Sequence, residues 1–426
     1  MSPLRRLALA ALLVATPSLS ACAKKENVVN PVEPMWRHHP SWAMNVVFHE
    51  PLATDPDLGL KTGTERSVPA IDPQHRRIFV GTSDHAMYAL RATDGSAIWR
   101  FQTAGAVNSE GLYDDERDVL YFGSDDDGLY SVRASDGSLR FRYRTGAEVQ
   151  RRPALSRSVK GKRVLVFCNA ADSVFALDAD TGATLWKRVR QPAQGLEIEG
   201  HAGVAVSGDR VYTGFSTGLV AAYDLETGAD KWPAVDLAAA ASSATEEQQQ
   251  FFDVDTTPLV KGDHVFVANV TTGVFALDAT GGGQQWRRPE ATGVSWLSYW
   301  SEPAHVDARK GTEVAAHELV LAGSGTSGIW ALDPKTGAVK WRKPAPLGAV
   351  SYPVTIAGAL MVTTSRAGLY LLEPEQGDVL DGIESGNGFG GGAAAYENRA
   401  FVLTNGGVLL GIEVVPPTYN GTPKSW

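Results

Sequence analysis

One pattern recurs seven times along this chain and limits what it can fold into. Each copy has an apolar strand, a turn, a second apolar strand, an Asp-x-x-Thr-Gly-like turn and, in six copies, an aromatic residue four positions past that glycine. The copies span Ile78–Trp99, Leu120–Phe141, Val164–Trp186, Val211–Trp232, Val265–Trp286, Leu319–Trp341 and Leu360–Asp381. Neighbouring turn glycines are 40 residues apart at the closest (Gly337 to Gly377) and 55 at the widest (Gly282 to Gly337). A period of that length, holding about four short strands, is the signature of a β-propeller with one blade per repeat. With 44 glycines and 23 prolines, the chain is also rich in the residues that end strands.

Each part of the repeat has a local physical reason. Alternating apolar residues, as in Val174-Phe175-Ala176-Leu177, offer one row of side chains to each neighbouring blade. The turn glycine accepts a positive φ. The aspartate four residues before it (Asp178, Asp224, Asp278, Asp333) is placed to accept turn amides. The aromatics Trp99, Phe141, Trp186, Trp232, Trp286 and Trp341 are placed to dock on an adjacent blade. Arg91 and Arg133 replace the aspartate in the first two copies, and the seventh has Glu373 and no aromatic, so these copies are degenerate.

Seven full copies leave Phe389–Val414 with three further strands. A fourth is expected from Trp42–His49, at the other end of the chain, which would tie the ring shut and remove its exposed edges. The expectation is an all-β, eight-bladed propeller closed by an N-terminal strand, with seven blades as the alternative. Two stretches exceed the repeat. Pro233–Phe252 is Ala- and Gln-rich, suited to a surface helix or loop; Arg287–Glu318 brings Trp296, Tyr299 and Trp300 together as an inter-blade plug or a contact patch.

The N-terminus reads as an address. Arg5 and Arg6 precede the apolar run Leu7–Ala15, which is too short to span a bilayer. The run leads to Leu19-Ser20-Ala21-Cys22, a bacterial lipobox, so Cys22 is the expected lipidation site. An ordinary secretory signal with a chance cysteine is the alternative. The expected organisation is a signal peptide over 1–21, a lipidated, flexible, Pro-rich tether over 22–40, the propeller over 41–415 and a C-terminal tail over 416–426.

Other chemistry finds little footing. The net charge of −9 argues against a nucleic-acid partner. Two cysteines exclude a disulfide scaffold or a cysteine-rich metal site, and the nine histidines show no ligand spacing beyond the adjacent His38-His39. No metal or cofactor is therefore expected, and Cys168 reads as a small core residue. Gly323–Gly328 satisfies G-x-G-x-x-G but precedes a strand, so it reads as a hairpin turn rather than a dinucleotide site. Ser124–Gly128 reads as another hairpin turn rather than a calcium loop.

The repeats resemble the pyrroloquinoline-quinone (PQQ) repeat family over nearly the whole mature chain. With the lipobox, the chain is similar within it to the BamB family of lipoproteins of the outer-membrane barrel-assembly machinery. Asp253-Val254-Asp255-Thr256-Thr257-Pro258 resembles that family's Asp-x-Asp-Thr-Thr-Pro segment, whose aspartates are implicated in contact with BamA, the central barrel subunit. Leu196-Glu197-Ile198-Glu199-Gly200 stands where the family has Leu-x-Leu-Arg-Gly, with Glu199 in place of the arginine. The resemblance implies partner contact by Leu196, Ile198, Glu199, Asp253 and Asp255; for the aspartates, capping of a strand start is the alternative. It implies a non-catalytic, monomeric scaffold on the periplasm-facing side of the outer membrane, held by lipid on Cys22 and bound to a BamA-like barrel subunit. A PQQ-dependent dehydrogenase, or a propeller binding a surface polymer, is the other reading. The dehydrogenases carry an adjacent Cys-Cys pair that this chain lacks.

Overall fold

The computed structural model describes residues 36, 43–52, 64–159, 161–193, 201–241, 253–306, 312–344 and 346–415. Within them, eight antiparallel four-stranded sheets form the expected eight-bladed propeller. Blade 1 shows the pattern, with strands Ala70–Asp72, Arg77–Thr82, Ala86–Arg91 and Ala97–Gln102 in spatial order. First strands of neighbouring blades meet, as between blades 1 and 2 or 4 and 5, so they surround the axis and fourth strands form the rim. Because strands alternate in direction, the turns after first and third strands share one face. The turns after second strands share the opposite face with the blade-to-blade connections.

The apolar core is a ring of eight clusters, one at each seam between blades. In blade 2, Leu120 and Phe122 pack toward blade 1, while Val119 and Tyr121 pack toward blade 3. Residues of opposite parity thus serve opposite seams, which is why these strands read as continuous apolar runs. The Asp-x-x-Thr-Gly turns follow the same economy. Asp178 Oδ1 accepts the amides of Asp180 and Thr181 at 3.1 and 2.9 Å, and Asp224 and Asp333 repeat the arrangement. In blade 7, Glu373 serves equally, taking the amides of Glu375 and Gln376.

The turn glycine does more than take a positive φ. Gly337 has φ +65°, and a Cβ there would lie 2.6 Å from Trp286, the aromatic of the preceding blade. Gly137, Gly182, Gly228, Gly282 and Gly377 sit in the same way under Trp99, Phe141, Trp186, Trp232 and Trp341. Each ring lies flat on the next blade's turn. Four of the indoles also donate to that turn: Trp99 to Ala134 O, Trp186 to Leu225 O, Trp286 to Pro334 O and Trp341 to Pro374 O, at 2.7–2.9 Å.

Trp232 departs from this rule. The carbonyl it should reach, Ala279 O, is already taken by the Tyr212 hydroxyl at 3.0 Å and Arg210 at 3.1 Å, and Trp232 Nε1 is buried without a partner. Trp232→Phe should therefore be better tolerated than Trp286→Phe, which strands a buried carbonyl. The two changes remove the same volume, so the unfolding free energies of the variants, from urea denaturation, should differ by about 1–3 kcal/mol. Equal destabilisation would contradict this account.

The ring closes as expected. Met44–Pro51 pairs antiparallel with Val408–Val414 and completes blade 8 outside Ala394–Tyr396, Arg399–Leu403 and Val408–Val414. Phe48 on this strand lies over Gly95 of blade 1 and is the docking aromatic that blade 8 otherwise lacks. Blade 7 needs none, because the fourth strand of blade 8 arrives from the N-terminus without an Asp-x-x-Thr-Gly turn to dock on. In the aromatic's place Asp381 accepts the Met44 amide at 3.1 Å and so holds the start of the closing strand.

Two long stretches resolve differently. After Asp230–Asp236 the chain makes a single 3-10 turn at Ala238–Ala241. Val294–Glu302 is the first strand of blade 6, with Trp300 buried in the seam to blade 7. Trp36, in the stretch read as a tether, is buried in that same seam. Its ring centroid is 5.1 Å from that of Tyr370, and its indole donates to Pro344 O at 2.9 Å. Among the described residues, no helix is long and apolar enough to cross a membrane.

Candidate functional site

Asp253–Pro258 lies in the blade-to-blade connection that opens blade 5. Val254 packs into the seam between blades 4 and 5 and fills the space a Cβ on Gly214 would need. Thr257 does the same over Gly203. Thr256 Oγ1 accepts the Ala268 amide at 3.0 Å. Ser67 and Ser351 make the equivalent bond in blades 1 and 7, to Gly81 and Thr363, so Thr256 is part of blade construction. The sequence likeness therefore mixes scaffold residues with the two aspartates.

Both aspartates are buried, at 3% exposure for Asp253 and 6% for Asp255. Beside them runs Arg151, from the opening of blade 3. Its Nε donates to His201 O at 2.7 Å and its Nη2 to Asp255 O at 2.9 Å, and its guanidinium lies 4.9 Å from the Trp296 ring centroid. Trp296 in turn packs on Tyr352, centroids 5.2 Å apart. One side chain thus joins the openings of blades 3, 4, 5 and 6, and the aromatic pair carries the contact to blade 7. The three aromatics part company: Trp296 meets Arg151 and Tyr352, Tyr299 packs against the seam between blades 5 and 6, and Trp300 lies in the seam to blade 7.

The electrostatics follow from burial. Desolvation pushes the Asp255 carboxyl up to about 7; Arg151 opposes that shift, while Asp253 and Asp172 add to it. Desolvation and Arg151 hold His201 down at about 4. His201 Nε2 accepts the Gln150 amide at 3.0 Å, so the neutral ring carries its proton on Nδ1, facing Ala202 O at 2.8 Å. Cys168 lies 3.5 Å from that Nδ1, but burial pushes its thiol up to about 12. A nucleophilic cysteine needs the opposite shift, so this Cys–His contact is structural.

Asp255 gives a pH prediction. Its folded pKa lies above the unfolded value of about 3.9, so the native state binds the extra proton. Stability from this group is greatest below pH 4 and falls as pH rises toward 7. Asp255→Asn removes that loss. The variant should gain up to about 4 kcal/mol over the parent at pH 8 and almost nothing at pH 4. His201 acts in the opposite sense, losing stability as pH falls below about 6.5. The comparison should therefore be made between variant and parent at each pH, by urea unfolding at pH 4 and pH 8. A pH-independent difference would refute the assignment.

Cys22, Leu196, Ile198 and Glu199 lie outside the described residues. His201, directly after that stretch, is described and tied to Arg151, so the openings of blades 4 and 5 share one buried network. Arg151 was not singled out from the sequence, because its partners lie 50 and 104 positions away. The G-x-G-x-x-G stretch is a hairpin turn, with the Ser324 amide bonded to Gly328 O at 2.9 Å. In the Ser124–Gly128 turn, Asp126 is occupied by Tyr130 at 2.6 Å and Arg142 at 3.3 Å.

The sequence model of the family described as outer membrane protein assembly factor BamB matches residues 84–343, well over half of the chain. The chain belongs to the BamB family. The matched stretch runs from the middle of blade 1 through blade 6 and includes both sequence segments discussed above. A BamB of Legionella pneumophila (strain Paris) is 24% identical over 223 residues, 52% of this chain and 53% of that protein. A BamB of Kangiella koreensis is 27% identical over 115 residues, 27% of each chain. The chain thus spans about half, and about a quarter, of the length of these curated relatives. The crystal structure of BamB from Moraxella catarrhalis aligns with a TM-score of 0.67 at 19% identity, over 87% of this chain and 99% of that one. The computationally designed Ika8 protein aligns over the same shares with a TM-score of 0.62 at 12% identity. At these identities both structures speak to the fold alone.

Proposed function

We propose that this protein is a non-catalytic scaffold of the outer-membrane protein assembly machinery. On this reading, residues 1–21 are a signal peptide, lipid on Cys22 anchors the chain to the periplasm-facing side of the outer membrane, and 416–426 form a tail beyond the propeller. The connection face around blades 4 and 5, with Leu196, Ile198, Glu199, Asp253 and Asp255, meets a periplasmic domain of a BamA-like barrel subunit. The observation that carries this reading is the family match across residues 84–343. Arg151 fixes the backbone that opens blades 4 and 5 by donating to the His201 and Asp255 carbonyl oxygens, and the buried Asp255 carboxyl lies in its field rather than exposed in the contact. The lack of an adjacent cysteine pair favours a scaffold over a quinone-dependent dehydrogenase.

The test is co-purification from detergent-solubilised outer membranes. Asp253→Ala/Asp255→Ala should lose the barrel subunit while keeping a cooperative thermal transition. A second variant with residues 196–199 replaced by Gly-Ser should lose it too. Full recovery of the barrel subunit with both variants would end the interface assignment.

A further inference from the structure

Two sets of three metal-ligating side chains converge in the described structure, and neither belongs to the Arg151 network. In the first, Asp72, His75 and Asp118, a cation is already supplied. Arg77 bonds Asp72 through Nε at 2.7 Å and also pairs with Asp118. The second set is Glu302, His317 and Glu375, whose ligand atoms all lie within 4.8 Å of one another. Here the centre of the set is an imidazole. Among the described residues, neither His317 nor Glu375 has a lysine or arginine partner.

The fold holds these three groups in place independently. Glu302 ends the first strand of blade 6 and His317 begins the second, and the two stand directly opposite in register. Between them the chain makes an inserted hairpin in which His305–Val306 pairs with Glu313–Val314. Glu302 and His317 therefore form its neck. Glu375 comes from the turn of blade 7 that faces them. That turn is fixed twice, by Glu373 accepting the Glu375 amide at 3.0 Å and by Trp341 donating to Pro374 O at 2.7 Å. The result is His317 Nδ1 at 2.7 Å from Glu375 Oε1, with the Glu302 carboxylate alongside.

We propose that Glu302, His317 and Glu375 form a binding site for a divalent transition-metal ion, joining the neck of the blade 6 insertion to blade 7. One imidazole and two carboxylates suit zinc or a neighbouring first-row ion; calcium and magnesium prefer all-oxygen sets. The His317 and Glu375 side chains are each 44% exposed, so water completes the coordination and the ion exchanges with solvent. Spacing along the chain does not reveal this set, because its members sit at 302, 317 and 375 and meet only across two blades.

The experiment is titration of the purified full-length protein with zinc chloride, followed calorimetrically, beside His317→Gln and Glu375→Gln. His38 and His39 can also take zinc, so the site is read as the binding lost between parent and variant. We expect each variant to lose one equivalent of zinc, or to bind it at least tenfold more weakly. The zinc-dependent rise in Tm should disappear with it. Without metal both variants should keep the parent's Tm, since the side chains are exposed, which separates loss of the site from loss of the fold. Cobalt substitution should give visible d–d bands in the parent that are absent from both variants. Equal zinc stoichiometry and affinity in parent and variants overturns the proposal, whatever becomes of the scaffold reading.

Discussion

Gly337→Ala should be among the most damaging single-methyl changes in this protein, and the damage should depend on a residue in another blade. The added Cβ meets two penalties. The first is a φ of +65° imposed on a residue with a side chain, worth about 1–2 kcal/mol. The second is a contact of 2.6 Å with the six-membered ring and bridge carbons of Trp286, which overpacks a closed seam and costs about 1–3 kcal/mol more. Trp286→Ala alone should cost about 3–5 kcal/mol, through lost burial and an abandoned Pro334 carbonyl. Once the indole is gone, however, the alanine at 337 has room, and only the φ penalty remains. The double variant should therefore be more stable than the sum of the singles implies, by about 1–3 kcal/mol. Urea denaturation of the four proteins measures this coupling, and strict additivity would show that glycine is there for φ alone.

That coupling marks the boundary of what the sequence made legible. The repeat, the blade count, the closing strand and the aspartate bonds in the turns were readable because each is a local pattern or a period. The aromatic was legible as a docking group, but its landing site was not, since ring and glycine are in contact only after two blades are built side by side. Phe48 shows the same limit more sharply. Nothing near it resembles the repeat, yet it fills the repeat's aromatic position in space. Asp381 looked like decay of the pattern and proves to hold the Met44 amide. Trp36 sat in Pro-rich sequence with no period, and only the seam between blades 6 and 7 explains its burial.

The candidate site was legible to a lesser degree, for a related reason. The Asp-x-Asp-Thr-Thr-Pro likeness drew attention to the right connection, but a motif does not say which of its residues build the blade. The hydroxyl of Thr256 repeats a bond made by Ser67 and Ser351, so it belongs to the ring. Burial of Asp255 could not be read from a run of polar residues, because the charge that opposes its desolvation, Arg151, lies two blades away. A buried, charged network among connections is a device for fixing loop shape, at a cost in stability that the Asp255→Asn comparison measures.

Removing the closing strand should have a still larger effect. A chain beginning at residue 53 loses the partner of Val408–Val414, the Phe48 ring over Gly95, the Met44 amide on Asp381 and Trp36 from the seam between blades 6 and 7 in one step. Two consequences follow from geometry. Blade 8 is left with an apolar outer edge whose amides and carbonyls face water, a template for pairing with another chain. The seam between blades 8 and 1, lined by Ile78, Val80, Leu90, Phe401, Leu403 and Leu409, is opened along its outer side. A propeller distributes its core among seams, so loss of one removes the constraint that holds the other seven at their working angles. The truncated chain should therefore aggregate or dimerise by strand exchange, and lose its cooperative thermal transition. A peptide covering residues 36–52, added in trans, should restore a monomeric, cooperatively melting species, because Phe48 over Gly95 and the Met44 amide on Asp381 set the strand's register and Trp36 refills its seam. Size-exclusion chromatography and thermal melts with and without the peptide decide the matter. A truncated chain that stays monomeric and melts cooperatively on its own would mean that the ring is held by the blade-to-blade seams without its clasp.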